Sequence, residues 1–139
     1  MVINFFSEEI DYTFANSVEI RNWIVKVIKN EKHSPGTINY IFCNDNYLLN
    51  LNLQYLEHNT LTDIITFDYS KEEVVSGDIF ISIERVMENA TKFNVSFEEE
   101  LRRVVVHGIL HLCGHGDKSE QQKNLMRKME DKYLKIFLE

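Results

Sequence analysis

Proline is almost missing from this chain of 139 residues, which holds one proline, Pro35, with five glycines and two cysteines. With so few breakers, no linker divides the sequence, and no repeat or low-complexity tract interrupts it, so a single domain over residues 1–139 is expected. Cys43 and Cys113 are too few for a disulfide framework, and the length suffices to bury a core without one. No apolar run approaches the roughly 20 residues that span a bilayer. The opening stretch, MVINFFSEEIDYTF, also lacks the basic and apolar regions of a secretory signal. A protein of the reducing cytoplasm with no membrane partner is expected. Basic charge is scarce too: 15 Lys and Arg stand against 22 Asp and Glu, a formal net charge of −7. That balance excludes broad attraction to polyanions. DNA is not an expected partner, and any role on RNA must rest on a local basic patch.

What is present reads as helices interleaved with strands. Asn16 with Glu19 resembles a capping arrangement, and Ile20, Trp23, Ile24, Val27 and Ile28 repeat at helical spacing, predicting a helix over 17–31. HSPGT, around Pro35, reads as a turn, and TINYIFCN (37–44) as a strand. Asp45 is placed to cap a helix through LLNLNLQYL, DIITFDY (63–69) and GDIFISI (77–83) read as strands, and ERVMENATKF as a helix. Ser96 with Glu99 forms a capping box before LRRVVVHGILHLC, and Gly114 is placed to end that helix in a left-handed conformation. Ser119 with Gln122 repeats the box before a terminal helix whose stripe, Leu125, Met126, Met129, Tyr133 and Phe137, reads as core. The pattern predicts an α/β or α+β domain with one sheet covered by helices.

The chemistry concentrates in HGILHLCGHGD, residues 107–117. His107 and His111 are i and i+4 on one helix face, so both imidazoles can meet one ion. Alone, such a pair fits packing or surface hydrogen bonding as well as metal binding. Gly114 then lets the chain reverse and Asp117 follows, giving H-x-x-x-H-x-x-G-x-x-D, the spacing by which metzincin-like sites return a third ligand over the helix. Asp117 and His115 compete for that third position. Asp117 is preferred for its reach, since His115 follows the helix stop at once. Three protein ligands to Zn2+ would leave an open coordination position, as a catalytic site requires.

Gly108 stands where a zincin peptidase carries its glutamate base, which disfavours a metallopeptidase. A glycine inside a helix suggests room for substrate beside the metal, or tight helix packing. Asp63 is a candidate partner for the free ring nitrogen of a metal histidine. Asp78 and Thr62 read as structural hydrogen-bonding residues, Cys113 as a buried thiol, His33 and His58 as surface histidines, and Glu98, Glu99 and Glu100 as acidic residues favouring a helix start.

HGILHLCG (107–114), LNLQYLEHNTLTDIITF (51–67) and SGDIFIS (76–82) together resemble, in order and spacing, the YbeY family of bacterial endoribonucleases of ribosome maturation, whose signature is similar to HGxLHLxGYDH. The resemblance implies a mixed sheet flanked by helices, a zinc ion, and action on single-stranded ribosomal RNA, including 3′-end maturation of the small-subunit RNA and ribosome quality control. Ribosomal RNA, the ribosome and ribosomal proteins are then the expected partners. The chain departs from the pattern at His115, Gly116 and Asp117, where the family continues Tyr-Asp-His, so aspartate replaces the third histidine. Slower hydrolysis at neutral pH, or a different preferred metal, is expected from the lower net charge of that donor set. Leu56 stands where the family has an arginine for phosphate, with Arg102, Arg103, Lys118 and Lys123 as candidate substitutes. On this reading His107, His111 and Asp117 hold the ion and His115 is a candidate proton carrier. The alternative is a noncatalytic zinc-binding ribosome-assembly factor.

Overall fold

The computed structural model describes residues 2–14, 16–56 and 62–138; His58 and the Leu56 side chain, both singled out in the sequence, lie outside the described residues. Four strands and five helices follow in the order β1 (Val2–Ser7), α1 (Ser17–Asn30), β2 (Ser34–Cys43), α2 (Asp45–Leu56), β3 (Ile64–Asp68), β4 (Val74–Ser82), α3 (Ile83–Phe93), α4 (Phe97–Leu112) and α5 (Glu120–Leu138). They form one mixed sheet ordered β1-β2-β4-β3, with β1, β2 and β4 parallel and β3 antiparallel on the far edge. The architecture is the expected helix-flanked α+β fold.

Alternation along β4 sets the layers. Val75, Gly77, Ile79 and Ile81 are buried; the isoleucines join Ile38, Tyr40 and Phe42 of β2 and the apolar faces of α1, α4 and α5 in the main core. Phe80, on the opposite face, packs with Tyr47, Leu48 and Phe67 in a smaller cluster under α2. Helix α4 lies at the centre of the main layer, touching α1, α3, α5, β3 and β4. Tyr40 fixes it to the sheet by donating its hydroxyl to the Val105 carbonyl at 3.0 Å.

Several local expectations need correction. β1 was not anticipated, because VINFFS shows its strand character only when paired with β2. Pro35 lies within β2 rather than in a turn, beside a register shift between Pro35 and Ile38 where its missing N–H is tolerated. Asn16 does cap α1, but in a left-handed conformation (φ 58°) with no side-chain hydrogen bond. Asn44, not Asp45, caps α2 by accepting from the Tyr47 N–H at 2.8 Å; Asp45 instead pairs with Arg85 and accepts from the Ser82 hydroxyl. In the α5 stripe Met126 and Tyr133 are buried as expected, while Leu125 is exposed.

Candidate metal centre

The ends of α4 are built as the sequence indicates. Ser96 Oγ accepts from the Glu99 N–H at 3.1 Å. At the other end Gly114 adopts φ 101°, donates to the His111 carbonyl and lets the His115 N–H reach the Leu110 carbonyl, both at 3.0 Å. This paired closure is a Schellman turn, and it folds the following loop back over the last turns of the helix. Ser119 and Gln122 then start α5 with reciprocal hydrogen bonds.

The turn carries Asp117 onto the two histidines. Its Oδ2 lies 3.2 Å from His111 Nε2 and 3.4 Å from His107 Nε2, and the histidine rings stand 4.5 Å apart at an interplanar angle of 81°. One donor atom from each of the three lies within 4.8 Å of the others, so they could hold a metal ion. Two imidazole nitrogens and a carboxylate oxygen suit zinc chemically, and all three side chains are half-buried on the lining of one cleft.

Behind the histidines stands a residue that sequence reasoning missed. His107 Nδ1 lies 2.7 Å from Glu130 Oε2 on α5. An ionised carboxylate only accepts, so Nδ1–H donates and the Nε2 lone pair faces Asp117. Glu130 is in turn held by Arg103 Nη1 at 3.0 Å, and Arg103 Nη2 reaches Asp131 at 2.7 Å. Burial pulls the His107 pKa down, but the hydrogen bond and charge of Glu130, joined by Asp63 and Asp117, outweigh it and hold the imidazole above its ordinary range. Asp63, a candidate in the sequence for the carboxylate behind a histidine, lines the cleft, and burial raises its pKa against the charge of His107. A signal for Glu130 was present: it sits at helical spacing with Met126 and Tyr133 on the apolar stripe, where an acidic residue needs a partner.

His115 does not join the site. Its backbone is tied to Leu110 by the Schellman turn, and its Nε2 lies 2.8 Å from Glu31 Oε1 at the end of α1. It is absent from the cleft lining, so the expectation of His115 as third donor or adjacent proton carrier finds no geometry to act through. Gly108 also resolves to packing: a Cβ there would stand 3.0 Å from Ile79 Cγ2 and 3.1 Å from Ile64 Cδ1, on the sheet side of α4. Cys113, read as buried, is half-buried, with its thiol raised to about 12 by desolvation, and Asp78 accepts from Asn39 Nδ2 at 3.0 Å, structural as read.

The cleft beside the histidines has a volume of about 410 Å³, with β3 and α3 forming its walls opposite α4 and α5. Of the four anticipated basic residues only Arg103 lines it; Lys118 and Lys123 are exposed elsewhere, and Arg102 lies 4.7 Å over the Phe137 ring. Arg127, not anticipated, lines the cleft. Glu100, read as a helix-start residue, is buried on the cleft side, where desolvation and nearby Asp63 raise its pKa against the pull of Arg103 and Arg127.

Known proteins resemble the chain along almost its whole length. The family described as Endoribonuclease YbeY matches residues 3–138. A protein of that description from Flavobacterium psychrophilum is 56% identical over 132 residues, covering 95% of this chain and 94% of its own length. Another, from Parabacteroides distasonis, is 41% identical and covers 100% of this chain and 98% of its own. The solution structure of a Thermotoga maritima protein superposes with a TM-score of 0.69 at 28% identity, covering 98% of this chain and 89% of that one. Matched along almost its whole length by sequence and by fold, the chain belongs to the endoribonuclease YbeY family.

Proposed function

We propose that this protein is a metal-dependent endoribonuclease that hydrolyses phosphodiester bonds in single-stranded ribosomal RNA, with Zn2+ held by His107, His111 and Asp117. The observation that carries the reading is the convergence of His107 Nε2, His111 Nε2 and Asp117 Oδ2 at the mouth of one cleft. A zinc ion there supplies Lewis-acid polarisation of a phosphate oxygen and activation of water.

The chain's own residues do the positioning. Glu130 holds His107 in the tautomer that offers Nε2, and Arg103 holds Glu130, so ring orientation is set from α5 before any ion arrives. Arg127, which forms no ion pair among the described residues, offers its charge to a phosphate in the cleft. Ribosomal RNA as substrate, 3′-end maturation of the small-subunit RNA, ribosome quality control, the ribosomal proteins as partners and a cytoplasmic setting are assigned on family likeness. No helix among the described residues is long and apolar enough to cross a membrane.

Cleavage of a single-stranded RNA by protein loaded with one zinc per chain tests the proposal. Activity abolished by His111→Ala, with the thermal unfolding midpoint of the zinc-free protein unchanged, is the expected result. Cleavage that survives His111→Ala, or an inactive zinc-loaded protein, overturns it.

A further inference from the structure

Glu100 lies two turns before His107 on α4, about 10 Å along the helix axis. It is 6% exposed, yet it lines the same cleft as the histidines. Among the described residues no hydrogen bond or ion pair reaches its carboxylate. Its oxygens are not sealed from the cleft and remain acceptors for whatever enters it, under the charges of Arg103 and Arg127. Glu130, equally buried on the neighbouring helix, has both of its oxygens engaged by His107 and Arg103. The contrast marks Glu100 as a carboxylate that, among the described residues, holds no hydrogen bond or close ion pair.

Its neighbours share one chemistry. Phe93, at the end of α3, is 52% exposed and lines the cleft beside the start of α4. Arg127 supplies a cation on the cleft lining, while Lys92, whose Nζ lies 5.7 Å from the Phe93 ring centroid, stands outside that lining. An exposed aromatic ring stacks a base, cations meet its phosphates, and a carboxylate reads donors on the base edge. Guanine alone among the RNA bases presents two adjacent donors, N1–H and the N2 amine, that match both oxygens of a carboxylate. Adenine and cytosine place an acceptor beside their amine, and uracil flanks its single donor with carbonyls.

The geometry points to a guanine subsite formed by Glu100 and Phe93, which holds a nucleotide neighbouring the one cleaved at the metal centre. Glu100 accepts N1–H and N2–H, and Phe93 stacks the ring. The subsite rests on the endoribonuclease reading and gives it a sequence preference.

Fluorescein-labelled oligouridylates carrying one guanosine, inosine or adenosine at the same position test it. Cleavage is followed with zinc-loaded protein. Binding is followed by anisotropy with the His111→Ala chain, which leaves Glu100 and Phe93 in place. The expected result is a preference for guanosine over inosine and adenosine of roughly tenfold or more, the scale of a bidentate base contact. That preference collapses in Glu100→Gln, and Phe93→Ala weakens all three RNAs. Cleavage and binding indifferent to the base, or a preference that survives Glu100→Gln, overturn the subsite and leave the endoribonuclease reading standing. Guanosine-dependent binding with no cleavage of any RNA supports the subsite and removes the nuclease reading. Glu100→Leu separates a structural role: its unfolding midpoint is expected to be unchanged or higher, and a fall of several degrees assigns the residue to the fold and overturns the inference.

Discussion

At the residue scale the site depends on a carboxylate that touches no ion. Glu130 fixes the His107 tautomer, so Glu130→Gln is expected to weaken zinc binding about 10- to 100-fold, read by chelator competition. The pH dependence has a definite sign. Zinc needs the neutral imidazole, and the His107 pKa sits above its ordinary 6.5, so affinity is lost as pH falls through that raised value. Removing the Glu130 charge moves this midpoint to lower pH even as affinity at high pH declines; an unmoved midpoint would contradict the assignment. Gly108 belongs to the sheet side of the same helix. Gly108→Leu is expected to cost about 1–3 kcal/mol through overpacking against Ile79 and Ile64, more than the helix propensity recovered, while one zinc per chain is retained. The convergence of His107, His111 and Asp117 was legible in the sequence because a helix and the turn that ends it are local. Glu130 and Arg127 were not, because their relation to His107 exists only after α5 packs on α4.

Among the elements, the join between α1, α5 and the loop after α4 keeps Asp117 over the histidines. Glu31, at the end of α1, accepts from Tyr133 and pairs with His115, while Trp23 Nε1 donates to the Tyr133 carbonyl at 2.8 Å. Burial alone would raise the Glu31 carboxyl, but the hydrogen bonds from Tyr133 and His115 and the charges of His115 and Lys132 outweigh it, so its pKa is lowered. A lowered carboxylate stabilises the fold above its unfolded value, near 4.5, and that contribution is lost as pH falls through the folded value. Glu31→Gln should therefore reduce stability by about 1.5–3 kcal/mol at neutral pH, the range for charged hydrogen bonds, and flatten the acid limb of the unfolding curve. Denaturant titrations across pH check this; parallel curves for the two proteins would contradict it. Capping boxes made α4 and α5 readable with their ends. β1 was missed because a short edge strand declares itself through its partner, and Asn16 misled because a left-handed residue can start a helix without lending its side chain.

For the whole molecule, a net charge of −7 leaves a local group of cations, here those lining the cleft, as the proposed contact for RNA. Arg127→Ala is expected to weaken all single-stranded RNAs alike and to lower the salt slope of log affinity by about 0.7, the contribution of one phosphate contact. An unchanged slope would place the contact elsewhere. The helix-flanked sheet was legible from alternation and helical stripes, whereas the strand order β1-β2-β4-β3 depends on pairings between distant segments that no local pattern records. Two imidazoles and one aspartate are proposed to hold a single ion, and zinc-edge X-ray absorption of the reconstituted protein reads that donor set. The expected spectrum has two imidazole nitrogens and a carboxylate oxygen at about 2.0–2.2 Å, with the oxygen contribution lost in Asp117→Ala. A third imidazole, a sulfur shell, or a spectrum indifferent to Asp117→Ala would contradict it.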